Sequence, residues 1–229
     1  MRVLLLASTL RITAFLVVSS VVGACSLQDA TLRDQPAATY DQASGRLKEL
    51  AFDTTRNGRN DAIGFMDGTR VHRIEVDEDE DGKVDRWEFY DSKRRLERVG
   101  FSRLHSGVPD AMAFYGESGD VERVEISTRG DAQFNRVEFY QSGSLTRVEE
   151  DTNGDGRVDK WEMYAVDPRG TPGEPGPIVT AAFDDAFRGT ATRRLVYQPD
   201  GSGVLRVEVD PDGDGIFQEP TAARSGRGD

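Results

Sequence analysis

Asp77–Tyr90 reads DEDEDGKVDRWEFY. Its first nine residues are acidic and turn-forming, with Asp77, Asp79 and Asp81 at alternate positions, then Gly82, then Asp85. Its last five, Arg86–Tyr90, alternate polar and aromatic side chains, the period of a half-buried strand. The stretch returns as Asp151–Tyr164, DTNGDGRVDKWEMY, and its front half returns as Asp210–Gly215, DPDGDG. Aligned on the first loop position, units begin at Asp53, Asp77, Ser102, Ser127, Asp151, Asp184 and Asp210, at intervals of 24, 25, 25, 24, 33 and 26 residues by subtraction. Tyr90, Tyr115, Tyr140, Tyr164 and Tyr197 mark position 14, with Met66 there in the first unit. A fixed period of this length means a repeat architecture.

Each unit has a second alternating run ahead of its loop: RIEV (Arg73–Val76), RVGF (Arg98–Phe101), RVEI (Arg123–Ile126), RVEE (Arg147–Glu150) and RVEV (Arg206–Val209). Strands on both sides of every loop, joined by tight turns such as Ser142-Gly143 and Asp200-Gly201, predict an all-β fold. The expected form is an antiparallel meander of hairpins with the acidic loops at one edge and no flanking helices. Ile74, Val76, Trp87, Phe89, Val124, Ile126, Val137 and Phe139 are expected on a dry inward face, with Arg, Glu and Tyr outward. A sheet with one dry face must roll up, fold over or find a partner. The long interval holds an insertion, about Ala165–Thr180, whose prolines and glycines read as loop. Arg46–Phe52 is the expected first strand.

The acidic loops meet the pattern D-x-[DN]-x-[DN]-G-x5-E twice, and so resemble the EF-hand calcium loop. Ca²⁺ is a hard cation that takes six to eight oxygens, and alternating side chains curl round one point when glycine permits a sharp turn at position 6. The resemblance implies ligands at Asp77, Asp79, Asp81, Asp85 and Glu88, with Lys83 at position 7 offering its carbonyl. In the second loop they are Asp151, Asn153, Asp155, Arg157, Asp159 and Glu162. A third, partial site has Asp210, Asp212 and Asp214. If Glu88 and Glu162 sit on strands and point away, Asp85 and Asp159 become direct ligands, as in the calcium hairpin loops of integrin-type β-propellers. Asp53–Asp61 keeps part of the set but has Gly64 at position 12. Ser102–Asp110, Ser127–Asn135 and Asp184–Thr192 have lost most of it. Acidic turns without any ion are the alternative throughout.

Met1–Cys25, MRVLLLASTLRITAFLVVSSVVGAC, has early arginines, an apolar stretch and a small-residue end, the plan of a secretory signal. Val22–Cys25 resembles the lipobox of bacterial lipoproteins, which implies a lipidated Cys25 and, with Ser26 following, the outer membrane. Ordinary cleavage near Ala24, leaving a free thiol, is the alternative. Residues 26–45 read as a flexible tether, 46–218 as the repeat domain and 219–229 as a disordered tail. With a formal charge of -12 over 229 residues, the chain suits cations or basic partners and excludes nucleic acid.

The repeat D-x-D-x-D-G-x-x-D-x-W-E-x-Y resembles that of bacterial lipoproteins with EF-hand-like loops, and its hairpin rhythm is similar to MORN-type repeats. Neither resemblance implies catalysis. His72 and His105 read as isolated, no nucleophile elbow or phosphate loop is present, and Trp87 and Trp161 read as core. The expected function is therefore a calcium-binding, lipid-anchored module of the cell envelope. The alternative is a calcium-independent protein-interaction module. An enzyme is not expected.

Overall fold

A computed structural model describes residues 36–166 and 174–220. The signal, Cys25, the first half of the tether, the tip of the insertion and the tail from residue 221 lie outside the described residues. The strands are β1 (Ala37–Tyr40), β2 (Leu47–Phe52), β3 (Ala62–Asp67), β4 (Arg70–Val76), β5 (Arg86–Tyr90), β6 (Leu96–Phe101) and β7 (Ala111–Tyr115). They continue as β8 (Val121–Ile126), β9 (Arg136–Gln141), β10 (Ser144–Glu150), β11 (Lys160–Tyr164), β12 (Ile178–Phe183), β13 (Arg193–Tyr197) and β14 (Val204–Val209). All fourteen form one antiparallel sheet in sequence order. Each strand touches only its immediate neighbours in that order. The sheet is a meander of seven hairpins, with nine-residue loops along one edge and the hairpin turns along the other.

Two boundaries differ from the sequence reading. β1 lies inside the stretch read as tether, where Ala37–Tyr40 pairs with β2. Ile178–Thr180, read as insertion, opens β12 against β11. Ile178 and Val179 are adequate strand formers once a partner lies alongside, and the proline- and glycine-rich run ends before them.

Every hairpin carries a bulge one step from its turn, on the partner of the position-14 residue. Phe89 pairs with Arg98 but Tyr90 with Leu96, so Glu97 is extra. Glu122 is extra opposite Tyr115, Thr146 opposite Tyr140 and His72 opposite Met66. A bulge rotates the strand locally, and here it returns Leu96, Val121 and Leu145 to the face that carries the tyrosines.

The two faces correct the expected inward set. Val76 stands directly opposite Arg86, and Ile74 opposite Glu88. Ile74, Val76, Val124 and Ile126 therefore share a face with Arg86, Glu88, Tyr90, Arg136, Glu138 and Tyr140. Trp87, Phe89, Val137 and Phe139 lie on the other face, opposite Glu75, Arg73, Glu125 and Arg123. Alternation within each strand was read correctly. The phase between strands was not, because it depends on the path of the nine-residue loop.

The consequence is a sheet with no dry face. On the first face, short aliphatic side chains lie between strands bearing long polar ones. Val76, Val99, Val124, Leu145 and Val148 are buried there with no second layer among the described residues. The regularly paired positions of β6, β7 and β8 carry no charged side chain on this face. There Ala113, Val124 and Ile126 form a cluster covered by Phe101, Tyr115, Val121 and Tyr140. On the second face, Arg and Phe alternate across the sheet in one row, Phe65–Arg73–Phe89–Arg98–Phe114–Arg123–Phe139–Arg147. The guanidinium carbons of Arg73, Arg98, Arg123 and Arg147 sit 4.0, 4.3, 4.1 and 3.9 Å from the ring centres of Phe65, Phe89, Phe114 and Phe139. Arginine stems cover the rings while their charged heads reach water and glutamate, so the face is both packed and wet.

Candidate metal-binding loops

The seven edge loops share one backbone. Position 4 has a positive φ in each: Arg56, Glu80, His105, Gly130, Gly154, Phe187 and Gly213. Position 6 does too: Gly58, Gly82, Gly107, Ala132, Gly156, Gly189 and Gly215. Only the second was legible as a glycine requirement, since position 4 tolerates larger residues at some backbone cost.

Side chains at positions 1 and 9 hold this shape. Asp77 accepts the N–H groups of Asp81 and Gly82 at 3.1 and 2.9 Å. Asp151 does the same for Gly154 and Gly156, and Asp210 for Gly213, Asp214 and Gly215. Ser102 does it with a hydroxyl, toward Ser106 and Gly107. The position-9 side chain accepts N–H groups from the start of its loop, as Asp61 does from Thr54 and Thr55. Backbone bonds run through both positions and extend the sheet ladder, for example Asp77 N–H to the Asp61 carbonyl and Asp85 N–H to that of Val76. Asp61, Asp85, Asp151, Asp159, Asp184 and Asp210 are all buried. Burial pushes the Asp61 carboxyl up, but the Thr54 and Thr55 donors outweigh it and hold it below its ordinary value. Asp53, Asp184 and Asp210 follow the same balance.

Positions 3 and 5 carry the remaining oxygens. Asp77, Asp79 and Asp81 each place a carboxylate oxygen within 4.8 Å of the others, and so do Asp210, Asp212 and Asp214. In the loop between them, the Asn153 amide lies 3.3 Å from Asp155 Oδ2. These clusters are capable of holding a metal ion. Asp81 is also held low, first by the Lys83 N–H and then by the Lys83 side chain. The Lys83 ammonium lies 3.2 Å from Asp81 Oδ2 and 3.1 Å from the His105 carbonyl.

Glu88 and Glu162 do not close their loops. Each sits on a strand between a basic residue two before and a tyrosine two after. Glu88 accepts from Arg86 and, at 2.5 Å, from the Tyr90 hydroxyl. Glu162 is 2.9 Å from Lys160 Nζ and 2.9 Å from the Tyr164 hydroxyl. Burial pushes Glu162 up, yet Lys160 and that hydroxyl bring its carboxyl below the ordinary value. In an EF-hand the twelfth residue begins a helix that turns it inward. Here the chain is already extended, and alternation sends it onto the sheet face. Asp85 and Asp159 therefore stand where closing ligands were expected, but Asp159 already gives both oxygens to Thr152 and one also to the Asn153 N–H.

Consecutive loops touch, and sequence reading missed it. Glu80 accepts from Asn57 and pairs with Arg59 of the preceding loop. Arg129 lies against Gly154. His105, read as isolated, places Nδ1 3.1 Å from Asp79 Oδ2 and 3.2 Å from Asp85 Oδ1. The signal was present in the period: His105 holds position 4 of its unit, next door to the richest acidic loop.

No protein-family model matches the chain, and no curated protein matches it. Solved structures with local similarity include TarM, at 12% identity over 44% of this chain and 18% of that one, with a TM-score of 0.33. A complex of an S. aureus TarM mutant with Fondaparinux, alpha-GlcNAc-glycerol and UDP gives 12%, 43%, 18% and 0.33 in the same order. The TcdB2-TccC3-Cdc42 structure gives 13% identity over 76% of this chain and 11% of that one, with a TM-score of 0.25. This chain spans a minor part of each, and backbone similarity at that level bears on neither fold nor function.

Proposed function

We propose that this chain is a calcium-binding β-repeat module of a bacterial cell envelope, anchored by lipid on Cys25 and serving as scaffold or binding surface. The observation that carries the calcium reading is the convergence of Asp77, Asp79 and Asp81, and of Asp210, Asp212 and Asp214, each set within 4.8 Å. Three like charges so close repel unless a cation lies among them, and hydrophilic loops rich in oxygen suit a hard ion. The Asn153–Asp155 pair supports a third site. Without a bidentate position-12 glutamate, and with Lys83 on Asp81, affinity in the range of extracellular modules, about 10⁻⁴–10⁻³ M, is expected. The anchor rests on the Val22–Cys25 motif alone, and palmitate labelling lost on Cys25→Ser is its test. The same reading assigns no catalytic role.

A chain beginning at Ser26 is expected to melt several degrees higher with millimolar Ca²⁺ or Tb³⁺, because an ion that binds only the folded state stabilises it. Asp81→Ala with Asp155→Ala removes most of the rise. A melting point indifferent to both ions rules the calcium reading out.

The second reading, a calcium-independent interaction module, is favoured by one observation. Loops 102–110 and 184–192 keep the shared backbone with few ligand residues, so the loop shape itself requires no ion. On that reading a protein partner would meet the Arg–Phe row, and ions would leave both stability and binding unchanged.

A further inference from the structure

Asp85 is the odd member of its series. At the equivalent position Asp61 has one oxygen on the Thr54 N–H and the other on the Thr54 hydroxyl and Thr55 N–H. Asp159 is served by the Thr152 N–H and hydroxyl. Asn135 is served by Thr128, and Asp110 by Arg103 and the Leu104 N–H. Each of these loops has a donor side chain at position 2. The 77–85 loop has Glu78 there, which cannot donate and instead reaches Arg86 Nε at 2.7 Å. Asp85 Oδ2 accepts the Glu78 N–H at 2.9 Å, while Oδ1 is buried and accepts no hydrogen bond. The Asp85 side chain is 8% exposed. A buried carboxylate oxygen without a partner costs free energy and calls for an explanation.

The group facing that oxygen is the His105 imidazole, 3.2 Å away but out of line for a hydrogen bond, with Asp79 Oδ2 completing the set. We propose that Asp79, Asp85 and His105 form a binding site for a divalent transition ion of the zinc class, shared between two consecutive edge loops. All three donor atoms lie within 4.8 Å of one another. Ligands 2.0–2.2 Å from a tetrahedral zinc lie roughly 3.3–3.6 Å apart, so separations of 3.1 and 3.2 Å need only a small adjustment. An imidazole nitrogen with two carboxylates suits zinc-class ions and is a poor set for calcium, which takes oxygen. Two carboxylates also balance the divalent charge. Water would occupy the fourth position. The site differs from the calcium reading in its nitrogen donor, although both draw on Asp79 and Asp85, and it makes the neighbouring hairpin a ligand donor.

The test uses the full untagged chain in detergent, titrated with Zn²⁺ while the imidazole ¹H–¹⁵N signals are followed. The chain has only two histidines, so His72 is the internal control. One equivalent of Zn²⁺ is expected to move the His105 signals and leave those of His72 in place. Co²⁺ in the same site is expected to show visible absorption with a bound nitrogen donor. His105→Asn retains a residue that tolerates the positive φ of 51° at this position, and is expected to lose roughly tenfold or more in Zn²⁺ affinity. Asp81→Ala is expected to reduce the calcium response by the share of the 77–85 loop and to keep Zn²⁺ binding, which separates this site from the other. Zn²⁺ that leaves the His105 signals unmoved, or binds His105→Asn as tightly as the wild type, overturns the proposal. The first outcome would mean that a proton alone joins the imidazole to the two carboxylates.

Discussion

At the residue scale, the same aspartate does different work according to its place in the loop. Position 1 gathers backbone N–H groups, position 9 ties the loop to the sheet, and positions 3 and 5 add oxygens for an ion, joined in the 77–85 loop by the unpartnered Oδ1 of Asp85. Asp184 isolates the first task, because its loop has lost the other ligands. Its carboxylate accepts from Ala186, Gly189 and Thr190 and is 2% exposed. Burial pushes its pKa up, but donors from Gly189, Ala186, Arg188 and Thr190 hold it below the ordinary 3.8. A lowered carboxylate pKa contributes stability that is fully present above the unfolded-state value and is lost as pH falls through the folded one. Melting temperature is therefore expected to drop on acidification below about pH 4, as Asp184 begins to bind protons on unfolding. Asp184→Ala is expected to lose roughly 1–3 kcal/mol at neutral pH and to show a shallower acid slope. A variant with wild-type stability and an unchanged slope would show that the loop shape comes from elsewhere.

At the element scale, the stabilising units are cross-strand rows. The Arg–Phe row packs one face without excluding water from it. On the other face, basic–Glu–Tyr triplets recur on β5, β9 and β11. Arg136 and Lys160 also lie 3.3 and 3.5 Å from Glu150 on the strand between them. Burial, with Glu138 and Glu162 alongside, pushes the Tyr140 and Tyr164 hydroxyls well above their usual range, so both remain donors at any ordinary pH. Phe114 and Arg123 are a clean pair for measurement. A double-mutant cycle with Phe114→Leu and Arg123→Met is expected to give a coupling of about 0.5–1 kcal/mol in urea unfolding. A coupling of zero would reduce the row to ordinary apolar burial. Phe114→Ala, which also strips area from its neighbours, is expected to cost about 1–2 kcal/mol.

At the scale of the whole molecule, contacts between neighbouring strands are the only ones the sheet makes. Stability should then be a sum of hairpin and nearest-neighbour terms, as in other repeat arrays. Ending the chain at Asp184, which deletes β13 and β14, is expected to leave the preceding strands folded. The urea m-value should fall in proportion to the strands removed, because it follows the surface exposed on unfolding. Complete unfolding of the shortened chain would mean that the ends stabilise one another at long range. Among the described residues, β1 and β14 each leave one strand edge unpaired. β14 exposes Val204, Leu205 and Val207 beside its edge, a region where self-association is expected at high concentration.

What the chain's own order of residues determined is the repeat, the strands and the loop edge. Alternation, glycine at position 6 and the position-14 aromatic are local signals, and they place β2, β4 to β6, β8 to β11 and β14 to within a few residues. The acidic triplets were legible for the same reason, since Asp77, Asp79 and Asp81 meet through one short turn. The rest was decided only when strands lay side by side. Whether Val76 faces Arg86 or Trp87 depends on how a nine-residue loop crosses the edge. That phase turned an expected dry face into two mixed ones and carried Glu88 and Glu162 away from the loops. His105 meets Asp85 because residues in neighbouring units come together through the sheet, a distance that sequence separation does not encode.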